Sequence, residues 1–148
     1  LTIYANAAYI KGSVQFNGVD FNSPLQGQSP YLINTGLTYA SPGDGFSVNV
    51  LYNRVGPRLK SRAQGGAALN IFEKPRDVMD VQVTKKLFNS RMEAKLTVAD
   101  IFAQAYTWYY KYEPNSSNIN YSAAKDKVIN SIRYGSTATL SLRYSFGK

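Results

Sequence analysis

Six segments of this chain alternate apolar and polar residues with a period of two, and the connections between them run long, short, long, short, long. The last segment, Thr137 to Phe146, separates most cleanly. Ala138, Leu140, Leu142, Tyr144 and Phe146 fall on one side of an extended strand, and Thr137, Thr139, Ser141, Arg143 and Ser145 on the other. A half-buried strand of a soluble sandwich gives the same alternation as a strand crossing a membrane, so the other segments decide between them.

Strands are expected at about 2–16, 30–40, 46–59, 76–87, 91–101 and 137–146. Ser41-Pro42-Gly43-Asp44-Gly45 and Leu87-Phe88-Asn89-Ser90 are tight turns, the first with Pro to set φ and glycines free to take positive φ. Between them lie three polar stretches, at about 17–30, 60–75 and 102–136, rich in Gly, Pro, Asn and basic residues and expected as connections. Pro57 is expected at a bulge or beyond the regular strand. A sandwich has no reason to gather its long loops at one end, whereas outer-membrane barrels pair short periplasmic turns with long extracellular loops. The expected class is therefore all-β, an antiparallel transmembrane β-barrel. Six strands do not close one, because single-chain barrels start at about eight and lipid leaves no partner for edge amides. The segments are thus expected to be the six C-terminal strands of a larger barrel, with assembly from copies or partners as the alternative, and the Leu1-Thr2-Ile3-Tyr4 opening, already in a strand pattern, is expected to follow further native residues.

Composition agrees with this class. Twelve Tyr, seven Phe and one Trp accompany a mean hydropathy of −0.30, as when only alternate residues face an apolar medium, and no run approaches the ~18 apolar residues of a membrane helix. The chain has no Cys and no His, which removes thiolate chemistry, disulfides, imidazole bases and the usual zinc ligand sets. No enzyme motif is present, and neither a cofactor nor a metal is expected. Gly65-Gly66 lacks the strand, helix and Lys-Ser/Thr context of a phosphate cradle. The net charge of +8 is spread along the chain, apart from Arg54, Arg58, Lys60, Arg62, Lys74 and Arg76 around one loop. Basic loops at an anionic outer-membrane surface account for it without nucleic acid.

Three stretches, Pro24 to Leu37, Leu51-Tyr52-Asn53-Arg54-Val55-Gly56 and Pro75-Arg76-Asp77-Val78-Met79-Asp80, resemble the C-terminal barrel segments of Bacteroidetes-type TonB-dependent outer-membrane receptors. The terminal Tyr144-Ser145-Phe146 is similar to the closing β-signal of such proteins, with Ser141 where that signal prefers Gly and with Gly147-Lys148 after the aromatic. The resemblance implies the last quarter of a barrel of about 22 strands, in the outer membrane of a Gram-negative bacterium with the C-terminus periplasmic. It implies import of a bulky nutrient such as a siderophore, cobalamin or glycan. The implied partners are outer-membrane lipid and lipopolysaccharide, the TonB complex reached through upstream residues, the barrel-assembly machinery read by Tyr144 and Phe146, and a surface lipoprotein lid. The family's plug domain and TonB box are not in these 148 residues.

Two sets of residues are candidates for function. Tyr106, Trp108, Tyr109, Tyr110 and Tyr112 offer aromatic faces to a ligand, or else belong to a strand extension or an aromatic girdle. Asp80, Lys86, Glu93, Lys95 and Arg143 lie on the polar faces and would line a lumen, steering a solute or pairing across neighbouring strands. Arg76-Asp77 is expected to fix a loop base by local hydrogen bonds. Two rival functions stay open: a receptor-like barrel serving as a structural subunit of an outer-membrane assembly, and a soluble basic β-domain that binds nucleic acid or polysaccharide.

Overall fold

The computed structural model describes residues 1–15, 23–43, 45–62, 70–112 and 118–146. Phe16, Asp44, Gly65-Gly66, the acidic start of the 113–117 stretch and Gly147-Lys148 lie outside the described residues. All the regular structure is β: β1 (Thr2–Tyr9), β2 (Ser13–Val14), β3 (Ser23–Pro24), β4 (Tyr31–Ala40), β5 (Phe46–Val55), β6 (Arg58–Ser61), β7 (Ile71–Glu73), β8 (Arg76–Leu87), β9 (Met92–Ala99), β10 (Tyr106–Tyr110), β11 (Lys127–Ile132) and β12 (Thr137–Tyr144).

The six long strands form one antiparallel sheet in the order β1-β4-β5-β8-β9-β12. The register lines up whole rows. Ile3, Leu37, Val50, Val81, Val98 and Ala138 stand opposite one another across all six strands, and one residue along, so on the other face, stand Thr2, Thr38, Asn49, Gln82, Thr97 and Thr139. Side-chain hydrogen bonds run along the polar face, from Asn34 to Asn6 and from Thr38 to Asn49, both 2.8 Å. On that face Tyr4 lies over Gly36, where a Cβ would fall 2.1 Å from its ring.

Among the described residues no second layer covers the aliphatic rows of this face, although Phe102 packs edge-on against Tyr52 at 6.5 Å towards the long-loop end. Leu37 and Leu96, in interior strands, are 36% and 43% exposed, and Leu140 on the edge is 65% exposed. Fully burying such a side chain is worth about 1.5–3 kcal/mol, so a face of this size withheld from any apolar environment forgoes on the order of 10 kcal/mol, as much as the net stability of a typical domain. The sheet also stays open: β1 and β12 are its edges.

The stretches expected as connections are partly strand. A second antiparallel sheet has the order β6-β7-β10-β11, the order of the strands β5, β8, β9 and β12 next to them in the chain. Each of these four rises out of the first sheet through a short break into the second. The core of large buried hydrophobics is here, Leu59, Phe72 and Tyr109, with Ile119 and Tyr121 packed against it.

The expected boundaries shift where backbone chemistry intervenes. The first strand ends at Tyr9 rather than continuing to 16: Ile10 N–H turns to Pro30 O, and Ser13–Val14 pairs with Ser23–Pro24 in a separate ribbon. The third expected strand divides at Gly56-Pro57, where Gly56 N–H bonds Tyr31 O and Pro57 has no N–H to give. The fifth stops at Ala99 because Asp100 takes φ 50°. In the last, Ser145 N–H still reaches Arg91 O, but regular pairing stops at Tyr144.

Candidate functional site

The aromatic stretch is strand β10, and alternation sorts its side chains. On one side of the second sheet, Trp108 lies opposite Glu73, and Glu73 opposite Arg58. The Glu73 carboxylate, almost wholly buried, accepts from Trp108 Nε1 on Oε2 at 3.3 Å and from Arg58 Nη2 on Oε1 at 2.8 Å. The indole is thus held in plane by an acid that is itself held by a guanidinium. The Lys60 ammonium sits 5.4 Å from the indole centroid, in the range of a cation–π contact.

Tyr109 points to the other side and is completely enclosed. Its ring stacks on Phe72 at 5.9 Å and meets Tyr121 edge-on at 5.1 Å, and its hydroxyl donates to Ile119 O. Burial, with the Asp126 charge adding to it, pushes its phenol pKa well above the usual value. Tyr109 is therefore withdrawn from the ligand-contact group and assigned to the core. Tyr106 packs edge-on against Tyr134 at 5.4 Å, with the Arg76 guanidinium 4.0 Å from its ring centre. Tyr110 lies opposite Ile71 and Lys127, and Tyr112 projects into the open.

The segment closing the core is pinned by a buried pair. Lys111 Nζ donates to Asn120 O at 2.8 Å and lies 3.5 Å from Asp126 Oδ2. Asp126 also accepts the N–H groups of Tyr112 and Ser122, at 3.0 and 2.8 Å. Burial opposes its ionisation, but these two amides and the Lys111 charge outweigh that and hold its pKa below the usual carboxylate range.

The polar set divides. Asp80 Oδ1 accepts from the Asp100 N–H at 2.8 Å, and Asp100 pairs with Arg76 at 3.0 Å, so Asp80 serves the turn after β9. Glu93 lies opposite both Lys86 and Arg143, and Lys95 opposite Thr84 and Ser141. No ion pair closes among these four, and the cross-strand pairing expected of them is not formed. The Arg-Asp motif does fix a loop base: Asp77 accepts from Tyr52 at 2.6 Å and Arg54 at 2.8 Å, and its N–H reaches Gln104 Oε1 at 2.9 Å. Tyr144 and Phe146 stack edge-on at 4.8 Å.

Sequence reading missed the Arg58–Glu73–Trp108 relay and the Lys111–Asp126 pair. A signal for the first existed, since Arg58/Leu59, Phe72/Glu73 and Trp108/Tyr109 each straddle two faces. Hollows lie elsewhere, about 550 Å³ between Phe88, Asn89, Arg91 and Tyr144 at the short-turn end and about 230 Å³ beside Lys111 and Asp126. Neither touches Trp108, and the fixed indole is the better candidate for recognition. No set of metal-ligating side chains converges among the described residues. No helix among them is long and apolar enough to cross a membrane, which leaves crossing by strands untouched.

What these features define is an all-β chain with an antiparallel, two-faced sheet and an aromatic, basic face at its long-loop end. No family model, curated protein or solved structure matches it.

Proposed function

We propose that the chain is part of the barrel wall of a TonB-dependent outer-membrane receptor that imports a bulky nutrient such as a siderophore, cobalamin or glycan. One observation carries this reading: a six-stranded antiparallel sheet whose aliphatic rows the described residues leave uncovered. Aromatics bracket the aliphatic rows, with Tyr9, Tyr31 and Tyr52 at one end and Tyr39, Phe46 and Tyr144 at the other. From Tyr31 to Tyr39 the strand runs roughly 26 Å, about 20 Å of height at the ~35–45° tilt of barrel strands, most of the ~25 Å apolar band between the aromatic girdles of outer-membrane barrels. The opposite face is rich in hydroxyls and carboxamides and suits a watery interior. The open edges at β1 and β12 ask for further strands, which the rest of a barrel supplies.

The test is fractionation of the native envelope followed by intact mass and peptide mapping of the detergent-extracted protein. The expected result is a carbonate-resistant outer-membrane protein several times heavier than 16.4 kDa, with upstream peptides from a plug domain. A protein recovered in aqueous buffer without detergent would overturn the reading.

A further inference from the structure

On the side of the second sheet that carries Trp108, the cation over the indole has no acid among the described residues. Glu73 spends both carboxylate oxygens, on Arg58 and on the indole N–H, so Arg58 is neutralised and the ring is fixed. Lys60 is exposed, lies over the ring at 5.4 Å, and has no carboxylate within 4.0 Å among the described residues. A cation resting on an exposed indole gains roughly two- to fivefold in local equilibrium, and an exposed ion pair gains about as much. An incoming carboxylate outcompetes the ring for the ammonium when the ring that carries it adds its own stacking on the indole. When the flexible Lys60 stem swings to it, the indole face that the ammonium covered is freed for stacking.

The geometry points to a binding site for an anionic ring, a carboxylate carried on or beside a ring whose aromatic or C–H face stacks on Trp108 while Lys60 pairs with its charge. The uronic acid unit of an acidic glycan and a simple aryl carboxylate share this chemistry. The inference rests on the receptor reading in that it names the class of nutrient the long-loop end would select.

The test is calorimetry on the full-length detergent-purified protein, with three probes: a galacturonic acid hexamer, its methyl ester, and 4-hydroxybenzoate. One of the two acids is expected to bind, and which one identifies the source. If it is the hexamer, the ester is expected to bind several-fold more weakly. Lys60→Met is expected to weaken the bound acid several-fold without weakening the ester, which no longer has an ammonium to displace from the ring, and Lys60→Arg to restore the acid. Trp108→Leu is expected to weaken every ligand that binds. Lys60 is exposed, so folding of its variants should match the parent protein in heat-modifiable gel mobility. Absence of binding by both acids, equal binding of hexamer and ester, or an unchanged acid affinity in Lys60→Met would overturn the site. Fractionation reads the receptor proposal separately: a protein outside the outer membrane that keeps the acid preference sinks that proposal and spares this one.

Discussion

Glu73 joins three elements through one side chain, since Arg58 comes from β6 and Trp108 from β10 while Glu73 itself is in β7. Glu73→Ala strands a half-buried guanidinium and an indole N–H, and the expected cost is about 1–3 kcal/mol, read in a urea titration of the protein in detergent or lipid. Asp126 gives a pH-dependent counterpart. Its pKa is lowered in the folded protein, so its stabilisation is complete above the unfolded carboxylate value of about 3.9 and is lost as pH falls through the lower folded value. The protection of the Tyr112 and Ser122 amides against hydrogen exchange, relative to the free-peptide rate at each pH, is expected to hold from neutral pH down to about 4 and to fall below it. Asp126→Asn should lower that protection at neutral pH and match the parent once Asp126 is protonated. Gly45 sits at φ 58° in the first tight turn, with the Lys86 Cβ 2.6 Å from where its own Cβ would be. Because that obstacle is next to the backbone and cannot swing aside, Gly45→Ala is expected to lower stability by about 1–3 kcal/mol, whereas Gly43→Ala, with open space around it, should cost less in the same titration.

The strands make a sharper demand, because neighbouring residues of one strand belong to different surroundings. Leu96 lies in the aliphatic row with Val83 and Leu140, and Thr97 in the polar row with Gln82 and Thr139. If lipid covers the first face, Leu96→Arg is expected to cost about 2–4 kcal/mol near mid-strand and Thr97→Arg no more than about 0.5 kcal/mol, measured as the fraction that folds into bilayers. Equal tolerance of the two would contradict a lipid-covered face. The long strands were legible because they alternate for eight residues or more, so contrast accumulates. The second sheet was not, because β6 and β7 have four and three residues and adjoin prolines that read as strand ends. Within β10 five successive large or β-branched residues hide the alternation, and only the neighbours Phe72 and Tyr121 show that Tyr109 is the one turned inward. Lys111 finds Asp126 fifteen residues away, a pairing that depends on how the loop folds back and that no local pattern encodes.

At the scale of the whole molecule the sheet is wide and thin, with its hydrogen-bonding capacity unspent at both margins. If the proposed barrel is the native state, the outward amides of β1 and β12 are expected to exchange as slowly as those of β5, because further barrel strands would pair with them. Fast exchange confined to those two strands would mean that the margins stay bare. The same scale gives meaning to the breaks at 56–57, 74–75, 100–105 and 133–136, where four strands leave one sheet for the other. The register below those junctions is fixed by the rows of the first sheet, and the core above is completed by its own loop through Ile119 and Tyr121. Recombination at the four junctions would therefore graft a foreign crown onto an unaltered foundation, letting the lineage change what it recognises without relearning how to fold.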